Sequence, residues 1–225
     1  MNIKINREAL LKPLANVASI VERKHALPIL SNILIQGKDG QVQLTATDLE
    51  MQVSLSFKAD LKEEIATTIS ARKFFDITRS LPDDCVIDIT IKDSRVAVKA
   101  NKSRFAIQTL PAKDYPVMTK ASSEAVVITI SQIQLKRLLK QVEFAMAQQD
   151  IRYYLNGLLF EVNGNQLNIV GTDGHRLSFT SIHLDQNYNK TEVILPRKTV
   201  IELIKLLNET EELVSVELYK GQVSF

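Results

Sequence analysis

Apolar positions repeat with a helical period in some stretches of this chain and with a strand period in others. Leu10, Leu14, Val17 and Val21 follow i, i+4, i+7, i+11, with Leu11 and Ile20 widening the stripe, which predicts an amphipathic helix. Pro13 lies inside the pattern and lacks the N–H for one helical hydrogen bond, so a kink or a late start is expected. Leu135, Leu138, Leu139 and Val142 line a second such face, and Ser131 with Gln134 has the S-x-x-Q spacing of a capping box. Strand patterns follow each helix. Ile33 to Gln36 and Val42 to Thr45 flank Gly37-Lys38-Asp39-Gly40, while Leu158 to Val162 and Leu167 to Val170 flank Asn163-Gly164. Asp-Gly and Asn-Gly accept positive φ and so mark tight hairpins. Shorter helices are predicted over about 72–79 and 197–207, and Val86 to Ile91 alternates again. Each half thus reads helix, hairpin, helix, hairpin: an α+β fold with two helices packed on antiparallel sheet.

The halves also match residue by residue. Leu10-Leu11-Lys12 returns as Leu138-Leu139-Lys140, and Ser31 to Ile35 loosely as Leu155 to Leu159. Gln43-Leu44-Thr45-Ala46-Thr47-Asp48 returns as Asn168-Ile169-Val170-Gly171-Thr172-Asp173, and Ala71-Arg72-Lys73 as Pro196-Arg197-Lys198. Thr47 to Thr172 and Arg72 to Arg197 are both 125 residues apart, and Leu10 to Leu138 is 128 apart. Four blocks in one order predict two homologous domains, 1–122 and 123–225, with the boundary near Ala121 to Ala125. After Val98 the first copy continues through Ser103-Arg104-Phe105-Ala106-Ile107 to Pro111 and Tyr115-Pro116. The second reaches Tyr219 to Phe225 without a counterpart for that strand and loop, so the second domain is expected to be incomplete and the chain a piece of a longer protein.

Composition narrows the classes. With 45% hydrophobic and 24% charged residues the chain has an ordinary globular profile. No apolar run approaches a membrane span, and Lys4, Arg7, Glu8 and Lys12 deny the N-terminus a signal peptide's apolar core. Cys85 is the only cysteine, which fits a reducing cytoplasm and excludes an intramolecular disulfide. A net charge of +2 is too small to announce a nucleic-acid partner, so its distribution matters more. The four predicted helices carry +1, +2, +2 and +2, a total of +7 that leaves −5 for everything else. Such segregation predicts a basic helical face that attracts phosphates without reading sequence, although any one helix alone reads as a solvated surface.

Catalysis finds little support. Asp173-Gly174-His175 beside Arg176 has the ingredients of acid–base chemistry, but the first copy has Leu49-Glu50 in that place, and an Asp-Gly turn explains the motif. His25, His175 and His183 show no metal-ligand spacing, and neither G-x-S-x-G nor a P-loop occurs. Cys85 at the edge of an apolar strand predicts packing, not nucleophilic chemistry. The expectation is a non-enzyme with no catalytic residues, metal or cofactor.

Several segments resemble the bacterial beta sliding clamps, the beta subunits of DNA polymerase III. They are Leu27-Pro28-Ile29-Leu30, Thr47-Asp48-Leu49-Glu50-Met51, Ala71 to Asp76 and Ser103-Arg104-Phe105. The most specific are Gln149-Asp150-Ile151-Arg152-Tyr153-Tyr154-Leu155-Asn156-Gly157 and Thr172-Asp173-Gly174-His175-Arg176-Leu177. The resemblance runs the length of the chain. It implies a homodimeric ring of three-domain subunits, helices lining the hole, which encircles double-stranded DNA as a processivity factor. DNA polymerase III, the clamp loader and other proteins would dock short apolar-aromatic peptides on it. DNA contacts would fall on Lys24, Arg72, Gln149, Tyr153, Tyr154, Arg197 and Lys198. Lys24 stands where the family often has arginine, and it keeps the charge. The tyrosines would stack on exposed bases, whereas strand alternation alone predicts one buried and one exposed. The partner pocket would use Leu155, Thr172, Gly174, His175, Arg176 and Leu177. The first-domain face toward the other subunit would use Lys73, Arg104, Phe105 and Ile107. The rival reading is a peptide-binding adaptor that never encircles DNA, at least for this 225-residue chain.

Overall fold

The computed structural model describes residues 2–21, 27–61, 63–92, 94–121 and 124–225. They form two compact units, Met1–Met118 and Thr119–Phe225, each with its own apolar core.

Unit 1 opens with a strand that the periodicity above passed over. In β1 (Asn2–Asn6) the alternation of Asn-Ile-Lys-Ile-Asn buries Ile3 and Ile5. Helix α1 (Arg7–Ile20) follows at once, so Pro13 does not delay its start. The Arg7 N–H, one of the donors that a helix start leaves without an intrahelical partner, bonds to Cys85 O at 3.0 Å. Leu10, Leu14, Val17 and Ile20 form the buried stripe. The remaining elements are β2 (Asn32–Lys38), β3 (Gln41–Thr47), β4 (Gln52–Lys58), β5 (Asp60–Leu61), β6 (Ile65–Ser70), α2 (Ala71–Ser80), β7 (Val86–Lys92), β8 (Arg95–Ala100) and β9 (Ser103–Leu110). The strands run β4-β3-β2-β6-β9-β8-β7-β1-β5, every adjacent pair antiparallel. Lys38 pairs with Gln41 around Asp39 (φ 50) and Gly40 (φ 73), the two consecutive positive φ values expected of the Asp-Gly hairpin. Strand β9 pairs with β6 at one end and along its length with β8, so it joins two smaller sheets into one.

Two side chains tie distant parts of unit 1 together. Arg7 is only 9% exposed, and its guanidinium donates to Thr78 O and Arg79 O at 3.0 Å each and to Asp83 Oδ1 at 2.7 Å. It satisfies carbonyls at the C-terminal end of α2, where the helix dipole favours a cation. Tyr115, buried behind a short 3-10 turn, donates its hydroxyl to Asn32 O and accepts from Thr47 N, both at 3.2 Å. Burial pushes this phenol up to about 12 from its usual 10.0, against the lowering effect of the Thr47 N–H. Tyr115→Phe is expected to cost about 1–2 kcal/mol, because two buried backbone groups lose that partner. The fold holds the neutral phenol, so this contribution is complete below pH about 10 and fades as pH rises toward about 12. Denaturant midpoints of the parent and Tyr115→Phe should therefore converge over that window.

Unit 2 repeats the order in β10 (Val126–Ser131), α3 (Gln132–Val142), β11 (Gly157–Thr172), β12 (Leu177–Pro196), α4 (Arg197–Leu206), β13 (Leu213–Tyr219) and β14 (Gln222–Ser224). No side-chain cap starts α3, contrary to the capping-box spacing. Its first N–H groups instead find backbone: Gln132 N donates to Glu212 O and Ile133 N to Thr210 O. The segment leading into β13 already supplies acceptors there, so the Ser131 and Gln134 side chains are not needed. Strand β11 is continuous but cannot be straight. Asn168 Nδ2 donates to Glu161 Oε1 at 3.0 Å, yet seven residues of straight strand would separate them by about 23 Å. The chain folds back at Asn163-Gly164, where Gly164 has φ 58 and the pairing with β12 shifts register. Gly157–Val162 then pairs with Thr191–Pro196, and Gln166–Thr172 with Leu177–His183. Among the described residues nothing in unit 2 plays the part of β9, and its strands form separate three- and two-stranded sheets.

Candidate functional site

The Thr-Asp repeat is one turn built twice. In unit 2, Gly174 N donates to Thr172 Oγ1, His175 N and Arg176 N to Asp173 Oδ1, and Thr172 Oγ1 to Arg176 O. In unit 1, Leu49 N donates to Thr47 Oγ1, Glu50 N and Met51 N to Asp48 Oδ1, and Thr47 Oγ1 to Met51 O. A short hydroxyl and a short carboxylate at adjacent positions close the same loop wherever they recur, which is why the motif needs no catalytic explanation. The backbone N–H groups of His175 and Arg176 hold the Asp173 carboxyl below the usual range, and the Arg176 side chain adds to this. The residue after the Asp has positive φ in both copies, 86° at Gly174 and 77° at Leu49.

Beyond the closure, the unit 2 turn makes further contacts. Arg176 Nε donates to Asp173 Oδ2 at 3.0 Å and its other arm to Phe144 O at 2.8 Å, with the guanidinium over the Phe144 ring at 5.3 Å. Leu177 and Phe179, two apart on one strand, are 66% and 58% exposed. Ser178 and Thr180 on the opposite face bond to Gln141. Leu155 is buried, at 8% exposure. Thr172, Gly174, His175, Arg176 and Leu177 share one turn and the start of the strand that follows it.

The proposed DNA-contacting residues of unit 2 also gather. Gln149, Arg197 and Lys198 line an open cavity of about 420 Å³ with Asn156 and Glu202. Gln149 holds φ 57, an uncommon conformation for a residue with a side chain. Arg197 is half-buried and donates to Met146 O at 3.3 Å. Tyr153 and Tyr154 lie in a 3-10 turn, not a strand, so the alternation argument fails: both are exposed, 80% and 50%, and they pack edge to face at 5.8 Å. Two rings standing off the surface are what stacking on bases requires. Asp150 accepts from the Arg152 guanidinium at 2.9 and 3.0 Å and from Arg152 N at 2.8 Å, and these bonds pull its carboxyl down to about 2.

In unit 1, Arg72 is exposed and 3.7 Å from Asp76. Lys73 is exposed on α2, and Arg104 and Phe105 are exposed on β9, with Arg104 beside Lys99 across the ladder. Ile107, at 5% exposure, packs into the core of unit 1. Lys24 lies outside the described residues.

The charge tally also changes. Arg7 caps the end of α2, and Lys136, 18% exposed, donates to Leu207 O at 3.0 Å beside the end of α4. Both are structural cations. Lys12, Lys73, Arg137 and Lys140 remain exposed with no carboxylate partner among the described residues. Sequence reasoning missed Phe144 and Asn156. Phe144 gave no signal, whereas Asn156 stood in a quoted motif without a role. Among the described residues no group of His, Cys, Asp and Glu has the makings of a metal site, and no helix is long and apolar enough to cross a membrane.

Comparison with known proteins places this geometry. The profile of the DNA polymerase III beta subunit N-terminal domain matches residues 1–119, and that of its central domain matches residues 129–225. The beta sliding clamp of Pseudomonas aeruginosa is 46% identical over 220 residues, covering 97% of this chain and 60% of that protein. The Escherichia coli beta sliding clamp is 44% identical over 224 residues, covering 99% and 61%. Among solved structures, a DnaN sliding clamp of Pseudomonas aeruginosa bound to griselimycin superposes with TM-score 0.92 at 45% identity, covering 99% of this chain and 60% of that one. The Caulobacter crescentus polymerase III beta chain gives 0.90 at 35%, covering 99% and 62%. The chain thus spans about 60% of the length of these relatives. With both domain profiles matched in order and the α+β clamp architecture shared, the chain belongs to the DNA polymerase III beta-subunit family, the bacterial sliding clamps.

Proposed function

We propose that the protein acts as a non-catalytic processivity factor: in its full-length form it closes as a homodimeric ring around duplex DNA, slides without reading sequence, and tethers the replicative polymerase. The carrying observation is the division of labour in unit 2. Exposed cations on α3 and the Gln149–Arg197–Lys198 cavity offer phosphate contacts, while the Thr172–Leu177 turn and Phe179 offer an apolar anchor site with a polar rim. Diffuse phosphate contacts are individually weak, and weakness suits sliding, because escape from a closed ring requires opening it. DNA polymerase III, the clamp loader and other clamp-binding proteins would engage the turn through short peptides, in the cytoplasm where the chromosome is copied. For the 225-residue chain by itself, the adaptor reading is favoured by one observation: the partner turn lies wholly within the described residues.

Retention on DNA tests the proposal. Full-length protein loaded on nicked circular DNA should stay bound through gel filtration and be lost when the circle is linearised. Equal retention on both forms would refute topological tethering, and retention on neither would leave the adaptor.

A further inference from the structure

Asn156 makes four hydrogen bonds that join three parts of the proposed DNA-facing set. Its side chain clasps Asp150 from both sides: Asp150 N donates to Oδ1 at 2.9 Å, and Nδ2 donates to Asp150 O at 2.8 Å. Its own N–H donates to Tyr153 O at 3.0 Å, and its carbonyl accepts from Arg197 N at 2.8 Å. The last bond matters because Arg197 is the first residue of α4, and its N-cap residue, Pro196, makes no side-chain capping bond. One N–H that the helix start leaves open is thereby anchored to the loop carrying Gln149 and the tyrosines. The side-chain clasp closes on the residue immediately after Gln149 and so holds the φ of 57° there. Asparagine alone offers an acceptor and a donor at this reach: aspartate lacks the donor, serine is too short, and glutamine is a methylene too long.

Resting on the DNA-binding reading above, we propose that Asn156 is the positioning residue for phosphate binding in unit 2, fixing the Gln149 loop against the start of α4 so that Gln149 and Arg197 face one phosphate path. It touches no DNA itself. Its side chain reaches only Asp150, so its effect runs through Gln149, while the main-chain carbonyl that meets Arg197 N is kept by any residue. Coupling to Gln149 distinguishes positioning from a loop staple that merely adds stability.

The test is a double-mutant cycle on the 225-residue chain, binding a short duplex across a salt series. Asn156→Ala should weaken binding by about fivefold, the worth of a typical hydrogen bond, and leave the log K against log salt slope unchanged, because no cation is lost. Gln149→Ala should do much the same. The double variant should be within about twofold of either single, since the second change removes an interaction already lost. Asn168→Ala breaks the Asn168–Glu161 bond elsewhere in unit 2 and is the control for lost stability. It should lower the unfolding midpoint and leave DNA affinity unchanged. Additive single effects, a shallower salt slope for Asn156→Ala, or an equal affinity loss in Asn168→Ala would each overturn the inference. Absence of salt-dependent binding by the parent chain would instead overturn the DNA-binding reading beneath it.

Discussion

Reversing Arg137 and Lys140 to glutamate is expected to weaken duplex binding by about a hundredfold or more near 0.1 M salt and to flatten the salt dependence by about two ions. The two side chains stand one turn apart on α3, opposite the stripe of Leu135, Leu138, Leu139 and Val142 that holds the helix to its sheet. Neither has a carboxylate partner among the described residues, so their reversal breaks no ion pair there and leaves the core untouched. Surface substitutions of this kind typically change stability by about half a kcal/mol or less, so the folded chain remains available for the measurement. Lys136, their neighbour, should behave differently. Its ammonium is committed to Leu207 O and Glu209, so Lys136→Ala is expected to cost about 1 kcal/mol of stability with little change in the salt slope. Fluorescence anisotropy with a labelled duplex, read at several salt concentrations, separates the two outcomes. A salt slope unmoved by the double reversal would mean that α3 does not face the phosphates.

Gly157→Ala should be among the most destabilising single changes in unit 2. A Cβ at that position would lie 2.3 Å from Leu195 O and 3.0 Å from Ile194 Cγ2. The nearest obstacle is backbone of the paired strand, which cannot rotate aside as a side chain would. Overpacking of this kind costs about 3 kcal/mol, which in a unit of this size lowers the melting midpoint by on the order of 15 °C. Gly221 offers the contrasting case. Its φ is 81°, but nothing lies within 4 Å of a built Cβ, so Gly221→Ala carries only the conformational cost of about 1 kcal/mol. Differential scanning calorimetry should show a large downward shift of the unit 2 transition for Gly157→Ala and a small one for Gly221→Ala. Equal shifts would mean that close approach of the strands does not govern the first site.

Much of the fold was legible where the signal is local. The Leu10–Leu14–Val17 stripe gave α1, Asp39-Gly40 gave the β2–β3 hairpin, and the Thr-Asp pairs gave two identical turns. Strands β1 and β10 escaped notice because each runs straight into a helix with no turn residue to mark it, and β4 and β6 because no Asp-Gly or Asn-Gly bounds them. The partner turn was readable as a unit, since its residues are consecutive. The cavity was not, because Gln149 and Arg197 are 48 residues apart and reach one cavity only in the folded chain, with Asn156 bonded to Asp150 and Arg197 between them.

Periodicity, turn chemistry and the internal repeat are properties of neighbouring residues, and the sequence by itself determined them: two related α+β halves, their helices, their hairpins and the family they resemble. Whether a given polar group faces water is decided by what a distant segment brings to it. Arg7 counts as a surface cation until the end of α2, more than seventy residues on, lays its carbonyls against it. Ser131 reads as a helix cap until the backbone of Thr210 and Glu212 takes over that task, and Tyr153 and Tyr154 read as alternating until a 3-10 turn sets both rings in solvent. Burial and hydrogen-bond partnership are non-local, so only the tertiary structure could assign them.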